Sequence, residues 1–145
     1  MATSTLTASN TVITVTVPGV FDVPQQLQGF ASDDIFSTEA VKRIETLMGV
    51  DGTLSAGYVP VPVVMRIMLQ ANSPSVRVFD QWDAGQQLLQ DAYQAFGLIT
   101  INNLGTKYVL VNGYMTSYAP IPDAKKIYQP RSFEITWNQV VPAQL

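Results

Sequence analysis

The last third of the chain constrains the fold most. Residues 107–140 read KYVLVNGYMTSYAPIPDAKKIYQPRSFEITWNQV, two runs of alternating character around a proline-rich turn. In the first run Tyr108, Leu110, Tyr114 and Tyr118 share one parity, and Val109, Val111 and Met115 the other. In the second, Phe133, Ile135 and Trp137 alternate with Ser132, Glu134, Thr136 and Asn138. Period-two alternation rich in β-branched and aromatic residues specifies strands. The second run has one polar face and is expected to be half-buried. The first carries bulky groups on both faces and needs partners on both.

The same reading runs back along the chain. Thr11–Val17 (TVITVTV) is a strand ended by the turn-forming pair Pro18-Gly19. A short strand is expected over Leu27–Ala31. Ser37–Met48 fits a helix capped by Ser37, or a strand with Ala40, Lys42, Ile44, Thr46 and Met48 on one side. A strand over residues 39–48 is preferred, because Val50-Asp51-Gly52 is a hairpin signal and a turn needs a strand before it. Thr53–Pro62 holds Gly57, Pro60 and Pro62 and should be extended but irregular. Val63–Ala71 (VVMRIMLQA) is a strand.

Ser73-Pro74 opens the one clear helix, with Val76, Phe79, Leu88, Ala92 and Phe96 as its apolar stripe. Gly85 could kink it, and Gly97 is placed to cap it. A short strand over Leu98–Ile101 and an Asn-Asn-Leu-Gly turn lead into the closing hairpin. Strands, one helix, then strands again predict a mainly β chain. Its antiparallel sheet would curl into a small sandwich or barrel with the helix outside. At 145 residues, one domain over 1–145 is expected.

Chemistry is sparse. With no cysteine and no histidine, thiolates, disulfides and the commonest general base and metal ligand are absent. Asp33 and Asp34 are adjacent, so in a strand they point to opposite faces and cannot converge. Asp80 and Asp83 share a helix face, but no further oxygen-ligand spacing follows. Lys125 and Lys126 could pair with a serine, yet nothing marks a nucleophile turn. Gly49, Gly52 and Gly57 match no phosphate-binding spacing. The aromatic set Tyr108, Tyr114, Tyr118, Phe133 and Trp137 reads as sheet core before it reads as a ligand cavity. No catalytic, cofactor or metal site is expected, and no enzyme.

Charged residues make up 13% of the chain against roughly 25% in an average domain, which favours self-association over a free monomer. The net charge is −3 and no Lys/Arg run occurs, so specific phosphate-backbone binding is not expected. The segment MATSTLTASN has neither basic nor apolar character, and no apolar run approaches about 18 residues. These features predict neither signal peptide nor membrane anchor, and folding in a cytoplasm-like compartment.

Several segments in order resemble the tail tube proteins of contractile-tailed bacteriophages. They are Gly-Val-Asp-Gly at 49–52, the strand at 63–71, Asn-Ser-Pro-Ser at 72–75 and Leu-Gly-Thr-Lys-Tyr at 104–108. The last is Asp-Ala-Lys-Lys…Gln-Pro-Arg-Ser-Phe-Glu-Ile-Thr-Trp at 123–137. The resemblance implies a tail-tube β-barrel with a flanking helix, forming hexameric rings that stack into a tube inside a contractile sheath. It implies itself, the sheath, baseplate and tail-terminator proteins as partners. DNA would pass through the lumen without specific binding, and the particle would assemble in the host cytoplasm. A long loop reaching the next ring corresponds to Met48, Gly49, Val50, Asp51, Gly52, Thr53, Leu54, Ser55, Ala56, Gly57 and Tyr58. Asp123, Lys125 and Lys126 form a candidate subunit or sheath contact. Other readings are a tube initiator or terminator, the inner tube of a related contractile injection particle, or a soluble ligand-binding β-barrel.

Overall fold

Alternation in the sequence becomes alternation in burial. The computed structural model describes residues 11–31 and 35–144. Residues 1–10 and the Asp33-Asp34 pair lie outside the described residues. Strand β1 (Thr11–Val17) buries Ile13, Val15 and Val17, and β6 (Val63–Leu69) buries Val63, Met65, Ile67 and Leu69. Strand β9 (Arg131–Gln144) buries Arg131, Phe133, Ile135 and Trp137. Burying each large apolar side chain contributes about 1.5–3 kcal/mol, so these faces fix the register.

The remaining strands are β2 (Phe21–Gln26), β3 (Phe36–Thr38), β4 (Ile44–Met48), β5 (Leu54–Tyr58), β7 (Ala95–Ile101) and β8 (Thr106–Tyr118). One antiparallel sheet runs β2-β1-β7-β8-β9-β6-β3, and β4 with β5 forms a separate two-stranded sheet. In a flat sheet β1 and β6 would lie about 19 Å apart, at roughly 4.8 Å per strand. Instead their inward residues share one core with Phe133, Ile135 and Trp137. The sheet is therefore curled, as the strand–helix–strand order predicted. Its open side is bridged by residues 27–31. Leu27 N–H donates to Ile13 O, Phe30 bridges to Leu69, and Ala31 N–H donates to Met68 O.

The helix α1 (Val76–Leu89) packs Phe79 and Trp82 into that core, with Phe79 stacked on Phe133 at 4.2 Å between centroids. Its start is tied to the bridging segment. Ser75 Oγ accepts from Gln28 N–H at 2.6 Å, and Ser73 Oγ donates to Gln28 O. Gly29 takes φ 70, and a Cβ there would stand 2.7 Å from Ser73 Oγ.

Several expectations need correction. Leu27–Ala31 is a bridge rather than a strand, because its hydrogen bonds are divided between β1 and β6. Residues 39–43 stay outside regular structure, and the strand begins at Ile44. Leu54–Tyr58 is a regular strand paired with β4 rather than an irregular stretch. The helix starts at Val76 and stops at Leu89, with Gln90 in the left-handed region at φ 54. Its inward face is Val78, Phe79 and Trp82, and Leu88 is exposed. Tyr93 folds back on it, accepting Trp82 Nε1–H at its carbonyl and seating its ring against Gly85. That contact ends the helix, and Ala95, Phe96 and Gly97 belong to β7.

The single parity expected along the first run of the hairpin is also broken twice. Asn112 takes φ 50 where the β7–β8 register shifts, and the β8–β9 register shifts again between Met115 and Ser117. Each extra residue exchanges the faces of the strand. Tyr108, Leu110, Met115 and Tyr118 belong to the core region, while Tyr114 is turned out.

Candidate assembly surface

The residues expected to form a stacking loop make a β-hairpin arm. Met48 ends β4, Gly49, Val50, Asp51, Gly52 and Thr53 make the turn, and Leu54, Ser55, Ala56, Gly57 and Tyr58 are β5. Gly52 takes φ 85, as an Asp-Gly turn requires, and Asp51 Oδ1 accepts Thr53 N–H at 3.0 Å. That bond holds the Asp51 carboxyl below its ordinary value. Every residue of both strands is exposed, including Ile44, Leu47, Met48, Leu54 and Tyr58, and so is Val50 in the turn. A two-stranded hairpin without packing is marginal in water, and grouped exposed apolar residues are characteristic of surfaces that meet a partner.

The arm leaves the body beside Val63, which pairs with Trp137. At the other end of β6, Leu69 pairs with Arg131. There the loop 119–130 carries Asp123, Lys125 and Lys126, all exposed. Thus the two groups of expected contact residues lie at opposite ends of one strand, and the chain does not bring them together. The loop is ordered by its own hydrogen bonds, Gln129 N–H to Asp123 O at 2.9 Å and Lys125 N–H to Ile127 O at 3.3 Å. Ile121, Ile127 and Tyr128 are exposed on it.

Sequence reasoning missed the clamp that holds this loop. Arg131, 5% exposed, donates to Asp80 Oδ1 at 2.8 Å and to the carbonyls of Ala119 and Pro120. Tyr118 Oη donates to the same Asp80 carboxylate. Burial pushes Asp80 upward, but the hydrogen bonds from Arg131 and Tyr118 and the charge of Arg131 outweigh it and hold the carboxyl low. Burial and the Asp80 carboxylate push the Tyr118 phenol up to about 12. The signal available was an Arg inside an apolar alternating run, where burial demands a partner. Asp83 faces elsewhere, accepting from Gln87 at 2.6 Å.

The sheet also offers unpaired ladder edges. β8 pairs with β7 only as far as Gly113, and β9 pairs with β6 only from Arg131 to Trp137. Tyr114–Tyr118 on one side and residues 138–144 on the other have no strand neighbour there among the described residues. Of the aromatic set, Phe133 and Trp137 are core, whereas Tyr108 and Trp137 border a cavity of about 310 Å³ with Phe36, Val63, Ile99 and Val140. No group of three or more Asp, Glu, His or Cys residues is placed to hold a metal among the described residues. No helix among them is long and apolar enough to cross a membrane.

A family model described as tail fiber protein gp32 matches residues 4–141. No curated protein matches the chain. Solved structures share the fold at low identity. A chain of the anti-feeding prophage baseplate is 13% identical, with 99% of this chain and 98% of that one covered at a TM-score of 0.60. A chain in the sheath/tube terminator of the PVC extracellular contractile injection system is 12% identical, with 99% of each covered at 0.63. A chain in the PVC sheath-tube complex is 13% identical, covering 92% of this chain and 88% of that one at 0.60.

Proposed function

The chain belongs to the tail fiber protein gp32 family, and we propose that its place in the tail is that of a tube subunit, forming hexameric rings that stack into the inner tube of a contractile tail. Family membership makes it a phage-tail structural protein. The tube reading is supported above all by the arm of residues 44–58, apolar and wholly exposed in the isolated chain. In the proposed tube the arm is the stacking element from Met48 to Tyr58, and one domain over 1–145 repeats around each ring.

The unpaired edges at 114–118 and 138–144 suit sheets that continue from one copy to the next. Backbone hydrogen bonds then give affinity, and ring closure removes the edges that would otherwise aggregate. A net charge of −3 per copy, repeated around a ring, repels phosphates and lets DNA slide through. The sheath, baseplate and terminator are the expected tail partners, with assembly in the host cytoplasm.

A second reading, a tube terminator, has a specific observation behind it: the likeness to a chain of the PVC sheath/tube terminator structure. Growth separates the two. Electron microscopy of the purified protein at rising concentration is expected to yield hollow tubes. Single rings that never stack would favour the terminator, and a monomer at every concentration would refute both.

A further inference from the structure

We infer that the tip of the β4–β5 arm docks into a groove at the opposite end of a second copy of this chain, formed by the loop 119–130 and the turn after β6. This rests on the tube reading and names the surface that receives the stacking arm. The groove has a volume of about 560 Å³ and is lined by Gln70, Asn72, Pro122, Ile127, Tyr128 and Pro130 among others. Its size is in the range of roughly 300–1,000 Å³ typical of pockets that enclose a ligand, enough for a few side chains.

Three observations select a second copy as the occupant. The first is position. The arm leaves beside Val63 and the groove opens beyond Leu69, so about 20 Å of β6 separates them at roughly 3.3 Å per residue. A contact between copies that joins these two ends can run head-to-tail and propagate as a stack. The second is apolar character. The tip presents Leu47, Met48, Val50 and Leu54, and the groove presents Ile127 and Tyr128, all exposed in the single chain. The third is charge. Asp51 stands at the apex of the tip, and Lys125 and Lys126 stand on the groove loop.

The groove is also prepared in advance. Arg131 fixes the carbonyls of Ala119 and Pro120, and prolines at 120, 122 and 130 restrict the loop further. A preorganised receptor loses little conformational freedom when the tip enters.

The chain has no cysteine, which makes disulfide mapping clean. Val50→Cys in one copy and Ile127→Cys in another are mixed at assembling concentration, oxidised and resolved by non-reducing gel and mass spectrometry. Val50→Cys mixed with Val23→Cys, an exposed position on β2, measures random encounter. The expected result is at least about tenfold more 50–127 than 50–23 disulfide. Lys125→Glu with Lys126→Glu in the receiving copy should reduce it, and Asp51→Lys in the donor should restore it. Tubes that form with equal yields of the two disulfides would overturn the docking while leaving the tube reading intact. Neither tubes nor a 50–127 disulfide at any concentration would overturn both.

Discussion

Gly113→Ala should be among the most damaging single-methyl changes in this protein. Trp137 is fully buried, and its six-membered ring lies against Gly113 on the neighbouring strand. A Cβ at position 113 would fall 2.3 Å from Trp137 Cε3 and 2.5 Å from Cζ3. Ordinary carbon contacts are about 3.5–4.0 Å, so the ring or the strand must yield by more than about 1 Å. Toward Gly97 the ring has little room to retreat, since a Cβ there would already stand 3.2 Å from Trp137 Cη2, so relief has to come on the side of the cavity that Trp137 borders. Overpacking usually costs about 1–3 kcal/mol, and this backbone-borne clash belongs at the top of that range. For a chain of this size about 3 kcal/mol lowers Tm by roughly 6–12 °C. The assay is urea and thermal unfolding at a concentration below assembly, because oligomers shift apparent stability. Gly57→Ala is the control: nothing lies within 4 Å of its built Cβ, and its effect should stay within about 0.5 kcal/mol. Trp137→Phe removes Cε3 and Cζ3, the two nearest clashing atoms, so the double variant should be more stable than the sum of the singles by about 1–2 kcal/mol. A Gly113→Ala protein within about 0.5 kcal/mol of the parent, or strict additivity, would refute the slot.

Other expectations concern the arm and the Arg131 clamp. Deleting Asp51–Gly57 should leave soluble rings or monomers but stop tube growth; normal-length tubes by electron microscopy would sink the stacking role. Asp80 is held below its unfolded value of 3.8, so its stabilisation is present above that pH and is lost as pH falls through the lower folded value. Asp80→Asn should therefore be less stable than the parent near neutral pH in urea, with the gap narrowing below about pH 4. Tyr118 has the opposite sense: its pKa rises from 10.0 to about 12, so its stabilisation is full below 10 and lost as pH climbs toward 12. In spectrophotometric titration, Tyr118→Phe should remove a phenol that ionises at about 12; an unchanged alkaline limb would contradict the assignment.

What could be read from the sequence was whatever depends on local period. The alternation Ile13-Val15-Val17, Val63-Met65-Ile67-Leu69 and Phe133-Ile135-Trp137 is the alternation of the core, and Asp51-Gly52 is the turn it signals. The misses arise where a distant contact decides. Ala92 and Phe96 sit at helical spacing from Leu88, but Tyr93 packed on Gly85 and Gly19 turns the chain into β7 first. Tyr108, Tyr114 and Tyr118 share a parity on paper, yet the irregularities at Asn112 and Thr116 move Tyr114 to the outside. Leu27–Ala31 has strand composition, but its bonds are divided between two strands that only the curled sheet brings near. For the candidate assembly surface, Met48–Tyr58 and the Asp123–Lys126 loop were legible as segments. That they stand at opposite ends of β6, and that Arg131 orders one of them, follows from pairings invisible in a linear string.

Hydrogen–deuterium exchange on dispersed and assembled protein reads whether other copies cover the arm and the open edges. The amides of 44–58, and those of 138–144 that point away from β8, should exchange fast in the dispersed chain and slow sharply on assembly. Those of the core segment 133–137 should be slow in both. Unchanged exchange at 44–58 and 138–144 in an assembled particle would contradict an assembly built on these surfaces.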